Sequence, residues 1–399
     1  MTRSPKITVI IPTRERCDVL ESSLRTVTAQ NYDNLDIIVS DNFSNDATKD
    51  VADRARDSRI RYLNTGKRLS MSHNWEFALS HVDDGWVTFI GDDDGLLPNS
   101  ISSVVDIINT TDAKAIRSAF CSYEWPSITK YGRGQLIVPM STGLALRDAN
   151  HWLSKVMRGR ERYNQLPMIY NGGFIHISIL KEIKAKTGSF FLSVSPDIYS
   201  AVSISRVVGQ YVYTNEPLAI SGTSKHSTGN SFFSTNKERR IAPSSKFTNE
   251  DNLPFHRDMP LCQDGGYPLS LHACVYEAYL QSEILIEHGT RLNHADQLEI
   301  IMATAGKHRK SIEIWGEHFA EMHKINYHDA RRSAATKRAF LQSYATLRKI
   351  ASAANSVITD NLPIKDIFEA SIAASVIRSS PGRMDTMRYL TGRLISLMK

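Results

Sequence analysis

Short β-rich runs and helical spacings alternate along the first hundred residues. Lys6–Ile11 reads as a buried strand that Pro12 ends, and residues 17–30 carry Val19, Leu20, Leu24 and Val27 on one helical face. Leu35–Ser40 is a second strand, followed by the polar turn Asp41–Asp46. The spacing predicts a helix over 46–57, a strand at Ile60–Leu63, a helix over 70–82 and a fourth strand at Val87–Ile90. Alternation at this pitch predicts an α/β fold with a mainly parallel sheet covered on both faces. From about 115 to 225 the pattern is mixed, with aromatic loops (Tyr123, Trp125, Tyr131), a Gly172-Gly173 pair and a strand-like run over 210–220. Residues 226–266, rich in Ser, Thr, Asn, Pro and Lys, read as a flexible loop or linker. Beyond 267 the periodicity turns helical, over 268–289, 293–306, 310–325, 328–354 and 363–379. Pro381-Gly382 breaks it before a last stripe of Met387, Leu390, Leu394, Leu397 and Met398.

Composition changes this picture little. The 399 residues are 41% hydrophobic, enough for a sizeable core and for more than one domain. Four widely spaced cysteines, with no CxxC pair, point away from a disulfide framework and toward a reducing compartment. The N-terminus runs into the first strand without a signal-peptide pattern, and no apolar run approaches the length of a membrane span. Both features lead us to expect a cytoplasmic protein. The net charge of +6 sits at the C-terminal end, where residues 329–399 hold 12 Lys/Arg against 5 Asp/Glu. A basic tail suits an anionic partner, or simply a solvated helical surface. Nucleic-acid binding is not expected, because no aromatic platform is interleaved with the basic residues.

The chemistry concentrates at three strand ends. Trp86–Ile90 runs into Asp92, Asp93 and Asp94, three adjacent carboxylates that repel one another. A divalent cation such as Mg²⁺ or Mn²⁺ would relieve that repulsion, typically held by one or two carboxylates plus substrate phosphates. In parallel sheets ligands bind beyond the carboxyl ends of the strands. Pro12-Thr13, Asp41 and the acidic triplet all lie there, so they are expected to converge on one crevice.

Four segments in this order resemble the family 2 glycosyltransferases: Val9–Arg14, Ile37–Asp46, Asn74 with Ala78-Leu79, and Phe89–Pro98. The resemblance covers roughly residues 5–225 and is strongest up to 105. It implies a GT-A fold, a Rossmann-like domain over 1–225, followed by the 226–266 linker and a helical region over 267–399. It also implies that Pro12, Thr13, Arg14, Asn74, Asp92 and Asp93 line a nucleotide pocket, and that Asp41 hydrogen-bonds the base. A carboxylate can accept from the N3–H of uracil, so uridine is the favoured donor base. The triplet corresponds to the family's DxD metal motif, with a departure. Registered on Pro98, the usual first aspartate falls at Gly91, so Asp94 and Asp93 are the expected metal contacts. In the family the general base is an Asp or Glu about a hundred residues further on, entering a helix. Asp197, behind Pro196 at a helix start, fits that place, with Asp264 as a fallback. His226 corresponds to a third metal ligand that some relatives carry, and Lys225 could meet phosphate. Gly172-Gly173 resembles the family's acceptor-side turn.

The expected activity is therefore a metal-dependent, inverting transfer of a sugar from a nucleotide diphosphate to a glycan or lipid-linked glycan acceptor. Two alternatives remain open at this level. A catalytically silent nucleotide-sugar-binding subunit would keep the pocket without turnover. A sugar-phosphate nucleotidyltransferase would need a Gly-rich basic loop after the first strand, where this chain has Pro-Thr-Arg-Glu-Arg. The basic C-terminal helices, with Arg388 and Arg393 beside the final apolar stripe, suit contact with the inner membrane surface or with a second copy of the chain.

Overall fold

The structure, a computed structural model, describes residues 4–129, 132–227, 250–286, 292–359 and 362–380. Eleven strands form one sheet among the described residues: β1 Ile7–Thr13, β2 Leu35–Asp41, β3 Ile60–Asn64, β4 Trp86–Phe89, β5 Gly95–Leu96, β6 Ala115–Glu124, β7 Gln135–Pro139, β8 Leu144–Asp148, β9 Gly173–His176, β10 Gln210–Thr223 and β11 Ser356–Thr359. Twelve helices accompany them: α1 Cys17–Thr28, α2 Thr48–Arg54, α3 Met71–Leu79, α4 Ser100–Thr110, α5 Ala149–Met157, α6 Ile177–Thr187, α7 Pro196–Val207, α8 Leu271–Gln281, α9 His294–Thr304, α10 Arg309–Met322, α11 Tyr327–Ala354 and α12 Ile367–Ser379. This is the expected α/β architecture with a helical C-terminal region.

The two halves of the sheet differ. Strands β3, β2, β1 and β4 run parallel, in register from Ile7 opposite Leu35 to Thr13 opposite Asp41. Both faces of this half are covered, which is why β1 reads as a continuous apolar run. Ile10 packs into one core while Ile7, Val9 and Ile11 pack into the other, as period-two alternation requires. Beyond β4 most pairings are antiparallel: β9 joins β4 to β6, and β7 and then β11 extend that edge. Strand β10 runs parallel to β6, and its register shifts between Thr214 and Ala219. Pro217, which has no N–H to give a ladder, sits in that irregularity.

The chain after 267 is tied to the rest at two places. Helices α8 to α11 share one core with α5, α6 and α7. Strand β11 and helix α12 return to the sheet, where Ile367, Ala370 and Ala374 pack against Tyr123, Leu136 and Val138. Among the described residues no helix is long and apolar enough to cross a membrane. The last apolar stripe and its arginines, Met387 to Met398, lie outside the described residues. So do residues 228–249 of the expected linker.

Candidate active site

A cleft of about 430 Å³ opens at the carboxyl ends of β1 and β4. That volume is within the range usual for small-molecule sites. Pro12, Thr13 and Arg14 from the end of β1 line it, together with Asn42, Asn74, Asp92, Asp93, Asp94 and Asp197. Residues far apart in sequence, from Pro12 to Cys274, therefore meet at these strand ends.

Each carboxylate of the triplet has a different set of partners. Asp92 is buried and held on both oxygens: Thr13 Oγ1 donates to Oδ2 at 2.9 Å, and Arg16 Nη1 pairs with Oδ1 at 2.9 Å. Burial raises its pKa, and Arg16 works against that rise. Asp92 thereby ties the start of α1 to the tip of β4. Asp93 accepts from the hydroxyls of Ser224 at 2.7 Å and Ser227 at 2.6 Å, both on Oδ2. Asp94 accepts from Tyr170 Oη at 2.5 Å and from the amides of Gly222 at 2.7 Å and Gly91 at 2.9 Å. Burial and the neighbouring charge of Asp93 push the Asp94 carboxyl well above the usual carboxylate range.

Gly91 marks a small cradle within this cluster. A methyl group there would lie 2.7 Å from Asp94 Oδ2, 3.0 Å from Tyr170 Oη and 3.3 Å from Asp93 Oδ1. A side chain at 91 would thus crowd one oxygen from each of two carboxylates, which glycine leaves clear. That donor set fits a hard cation that takes one or two carboxylates and completes its shell with phosphate and water, rather than a closed protein cage. Among the described residues no group of three or more His, Cys, Asp or Glu surrounds a common point.

Across the cleft, Asp197 sits in the first turn of α7 behind Pro196, whose fixed φ suits a helix start. Tyr163 Oη donates to Asp197 Oδ2 at 2.8 Å. Burial raises the Asp197 pKa, and the tyrosine bond holds it back. A buried carboxyl with a raised pKa facing a second carboxylate cluster is the arrangement expected of a proton acceptor.

Four sequence-derived candidates, Asp41, Lys225, His226 and Asp264, are not brought to the cleft. Asp41 is turned into the protein, accepting from Tyr62 Oη at 2.5 Å, Asn64 Nδ2 at 3.0 Å and the Ser44 amide at 3.0 Å. Its neighbour Asn42 lines the cleft instead. The His226 ring faces Asp18, with Nε2 at 3.0 Å from Oδ2, and Lys225 pairs with the same carboxylate at 3.2 Å. The backbone carbonyl of His226 accepts from Arg16, so this loop supports Asp92 indirectly. Asp264 is exposed and caps its own turn through the Gly266 amide. Asn74 lines the cleft and accepts from Ser40 Oγ at 2.8 Å.

Several lining residues escaped the sequence reading: Arg16, Tyr163, Tyr170, Phe255, Tyr267 and Cys274. Tyr170 directly precedes Asn171-Gly172-Gly173, where a Cβ on Gly173 would come within 1.7 Å of the Met168 carbonyl. The glycine pair itself was the signal available in the sequence for a constrained loop.

Comparison with known proteins assigns the amino-terminal part of the chain. Residues 8–175 match the model of glycosyl transferase family 2. This chain carries a family 2 glycosyltransferase domain. This chain is 36% identical over 108 residues to the GalNAc(5)-diNAcBac-PP-undecaprenol β-1,3-glucosyltransferase of Campylobacter jejuni, a match covering 26% of this chain and 35% of that protein. It is 25% identical over 123 residues to an uncharacterized glycosyltransferase of Rickettsia typhi, covering 31% and 38%. The matched stretch is thus just over a third of the length of these curated relatives. Among solved structures, S. aureus TarS 1–349 in complex with UDP-GlcNAc is 13% identical, covering 86% of this chain and 92% of that one, with a TM-score of 0.45. In the family 2 domain, Asp92–Asp94 fall inside the matched region, whereas Asp197 and the Phe255–Cys274 wall lie beyond it.

Proposed function

We propose that this chain is an inverting glycosyltransferase that moves a sugar from a nucleotide diphosphate, a UDP-sugar first, to a hydroxyl of a glycan or lipid-linked glycan. The observation that carries this reading is the pairing of Asp197 with Tyr163 on one side of a cleft whose other side is Asp93 and Asp94. The name of the Campylobacter relative, which includes a diphospho-undecaprenol glycan, supports a lipid-linked acceptor.

In this reading Pro12, Thr13 and Arg14 hold the nucleotide at the end of β1. Asp94 and Asp93 would hold a divalent cation, Mn²⁺ or Mg²⁺, which when bound offsets charge on the departing nucleoside diphosphate. The acceptor oxygen attacks the anomeric carbon while its proton passes to Asp197. The bond from that carbon to the diphosphate oxygen breaks, and the configuration inverts. Tyr163 fixes the carboxylate by occupying Oδ2, and the raised pKa makes Asp197 a better base than an exposed aspartate. Tyr170 and the Gly222 amide fix Asp94 in the same way.

We also place the acceptor at the cytoplasmic face of the membrane. Between Ala330 and Thr359 the chain carries six Lys/Arg and no Asp or Glu. Within that stretch α11 exposes Phe340 (49%), Tyr344 (40%), Leu347 (65%) and Ile350 (60%). Apolar and cationic groups on one helix favour an anionic interface.

The test is a screen of UDP-, GDP- and dTDP-sugars for hydrolysis by purified protein with Mn²⁺, repeated with Asp197→Asn. Turnover is expected with one donor class and should fall about 10²–10⁴-fold in the variant, the usual contribution of a positioned general base. Absence of turnover with every donor would favour a binding subunit, and an unchanged rate in Asp197→Asn would remove it as the base.

A further inference from the structure

We propose that the acceptor subsite is built by the chain beyond the family 2 domain, and that it stacks an acceptor sugar ring on Phe255 and Tyr267. This rests on the glycosyltransfer reading above and names which part of the cleft takes the second substrate. Asn252, Phe255, Tyr267, Leu271 and Cys274 all line the cleft, and all lie outside residues 8–175.

The position of this wall is decided by its neighbours. Helix α8, which carries Cys274, packs against α7, whose first turn holds Asp197, and its Glu277 accepts from Ser193 Oγ at 2.5 Å just before that helix. The α8 part of the wall therefore adjoins the proton acceptor, while the Glu250 end of the preceding segment reaches Arg14 at the end of β1. The group that must reach Asp197 is the acceptor hydroxyl, so the surface beside it is where the acceptor's ring rests. Phe255 and Tyr267 are half-buried cleft residues whose rings pack on each other, with centroids 4.9 Å apart and tilted by 41°. The C–H face of a pyranose is apolar and matches an aromatic face, while Asn252 offers both donor and acceptor groups to the hydroxyls.

Segment 250–260 is also held in advance of any ligand. Arg14 Nη2 pairs with Glu250 at 2.8 Å, and His73 Nδ1 lies 3.2 Å from the Asp251 carbonyl, both on the donor side. On the helical side, Gln281 donates to the Pro254 carbonyl at 3.0 Å, and His323 Nε2 lies 2.8 Å from the Asp258 carbonyl. Trp315 Nε1 donates to the Pro260 carbonyl at 2.7 Å. Buried Glu277 accepts from the His256 amide at 3.2 Å and from Ser193 Oγ at 2.5 Å, joining this strap to the loop that leads into Asp197. A wall fixed at this many points loses little entropy on binding.

The experiment uses the full chain saturated with UDP and Mn²⁺. Binding of octyl glycosides of glucose, galactose, N-acetylglucosamine and N-acetylgalactosamine is followed by saturation-transfer NMR. At least one glycoside should bind, with saturation strongest on ring C–H protons. Phe255→Ala should weaken it about fivefold or more, consistent with loss of one aromatic contact, and leave UDP affinity unchanged. Phe255→Tyr, which keeps the ring, should restore binding and controls for a folding defect. Equal glycoside binding in Phe255→Ala overturns the proposal, as does a parallel fall in UDP affinity or the absence of glycoside binding to the wild type. Failure of UDP itself to bind would instead overturn the underlying functional reading.

Discussion

At the residue scale, the site is a set of carboxylates sorted by their partners. Three adjacent aspartates cannot all do the same work. Asp92 is neutralised by Arg16, Asp93 is held by two serines, and Asp94 by a tyrosine and two amides. Asp197 is tuned by one bond. The Tyr163 hydroxyl stabilises its charged form, so Tyr163→Phe should raise the Asp197 pKa further. Because the base works deprotonated, the acidic limb of kcat/KM against pH should move to higher pH in that variant. An unmoved limb would mean that Asp197 does not govern it. The residue types of the triplet and of Asp197 were legible in the sequence. Arg16 and the two tyrosines were not, since nothing local distinguishes a buried tyrosine that holds a carboxylate from one that fills a core. Asp41 and His226 show the converse: a motif gives a residue its place in the chain but not the direction of its side chain.

At the element scale, the parallel half of the sheet was readable because continuous apolar strands and amphipathic helices give two distinct periods. Strands β6 to β9 were not, because their alternation is partial and polar residues such as Arg117 sit in the core. Arg117, on β6, is almost wholly buried and has carbonyl partners. Its Nε donates to Asn164 at 2.7 Å, and its Nη1 donates to Tyr170 at 3.0 Å and Asn171 at 2.7 Å. Burial lowers its pKa to about 10, so it stays charged at neutral pH. One side chain thus fixes the backbone beside both Tyr163 and Tyr170. Arg117→Met should cost about 3 kcal/mol or more in chemical denaturation, since three carbonyls lose a charged donor. A shift within error would show that these loops hold themselves.

At the scale of the whole molecule, the family 2 domain supplies the strand ends, and the later helices supply the opposite wall of the cleft. Nothing in the sequence showed that residues 250–274 reach the site, because they are brought there by contacts with residues 14, 73, 277 and 323. The proposed membrane face on α11 is tested by vesicle co-sedimentation. Binding should require phosphatidylglycerol and should fall several-fold, in the range of about 1–2 kcal/mol, in Leu347→Glu/Ile350→Glu. Equal sedimentation of the variant and wild type would remove α11 as that face.

The central claim is that Asp93 and Asp94 complete a nucleotide-diphosphate site opposite a base, Asp197. Calorimetric titration of UDP into the full chain, with and without Mn²⁺, tests it most directly. Binding should depend on Mn²⁺, persist in Asp197→Asn and be lost in Asp94→Asn. Metal-independent binding, or binding unchanged in Asp94→Asn, would contradict it.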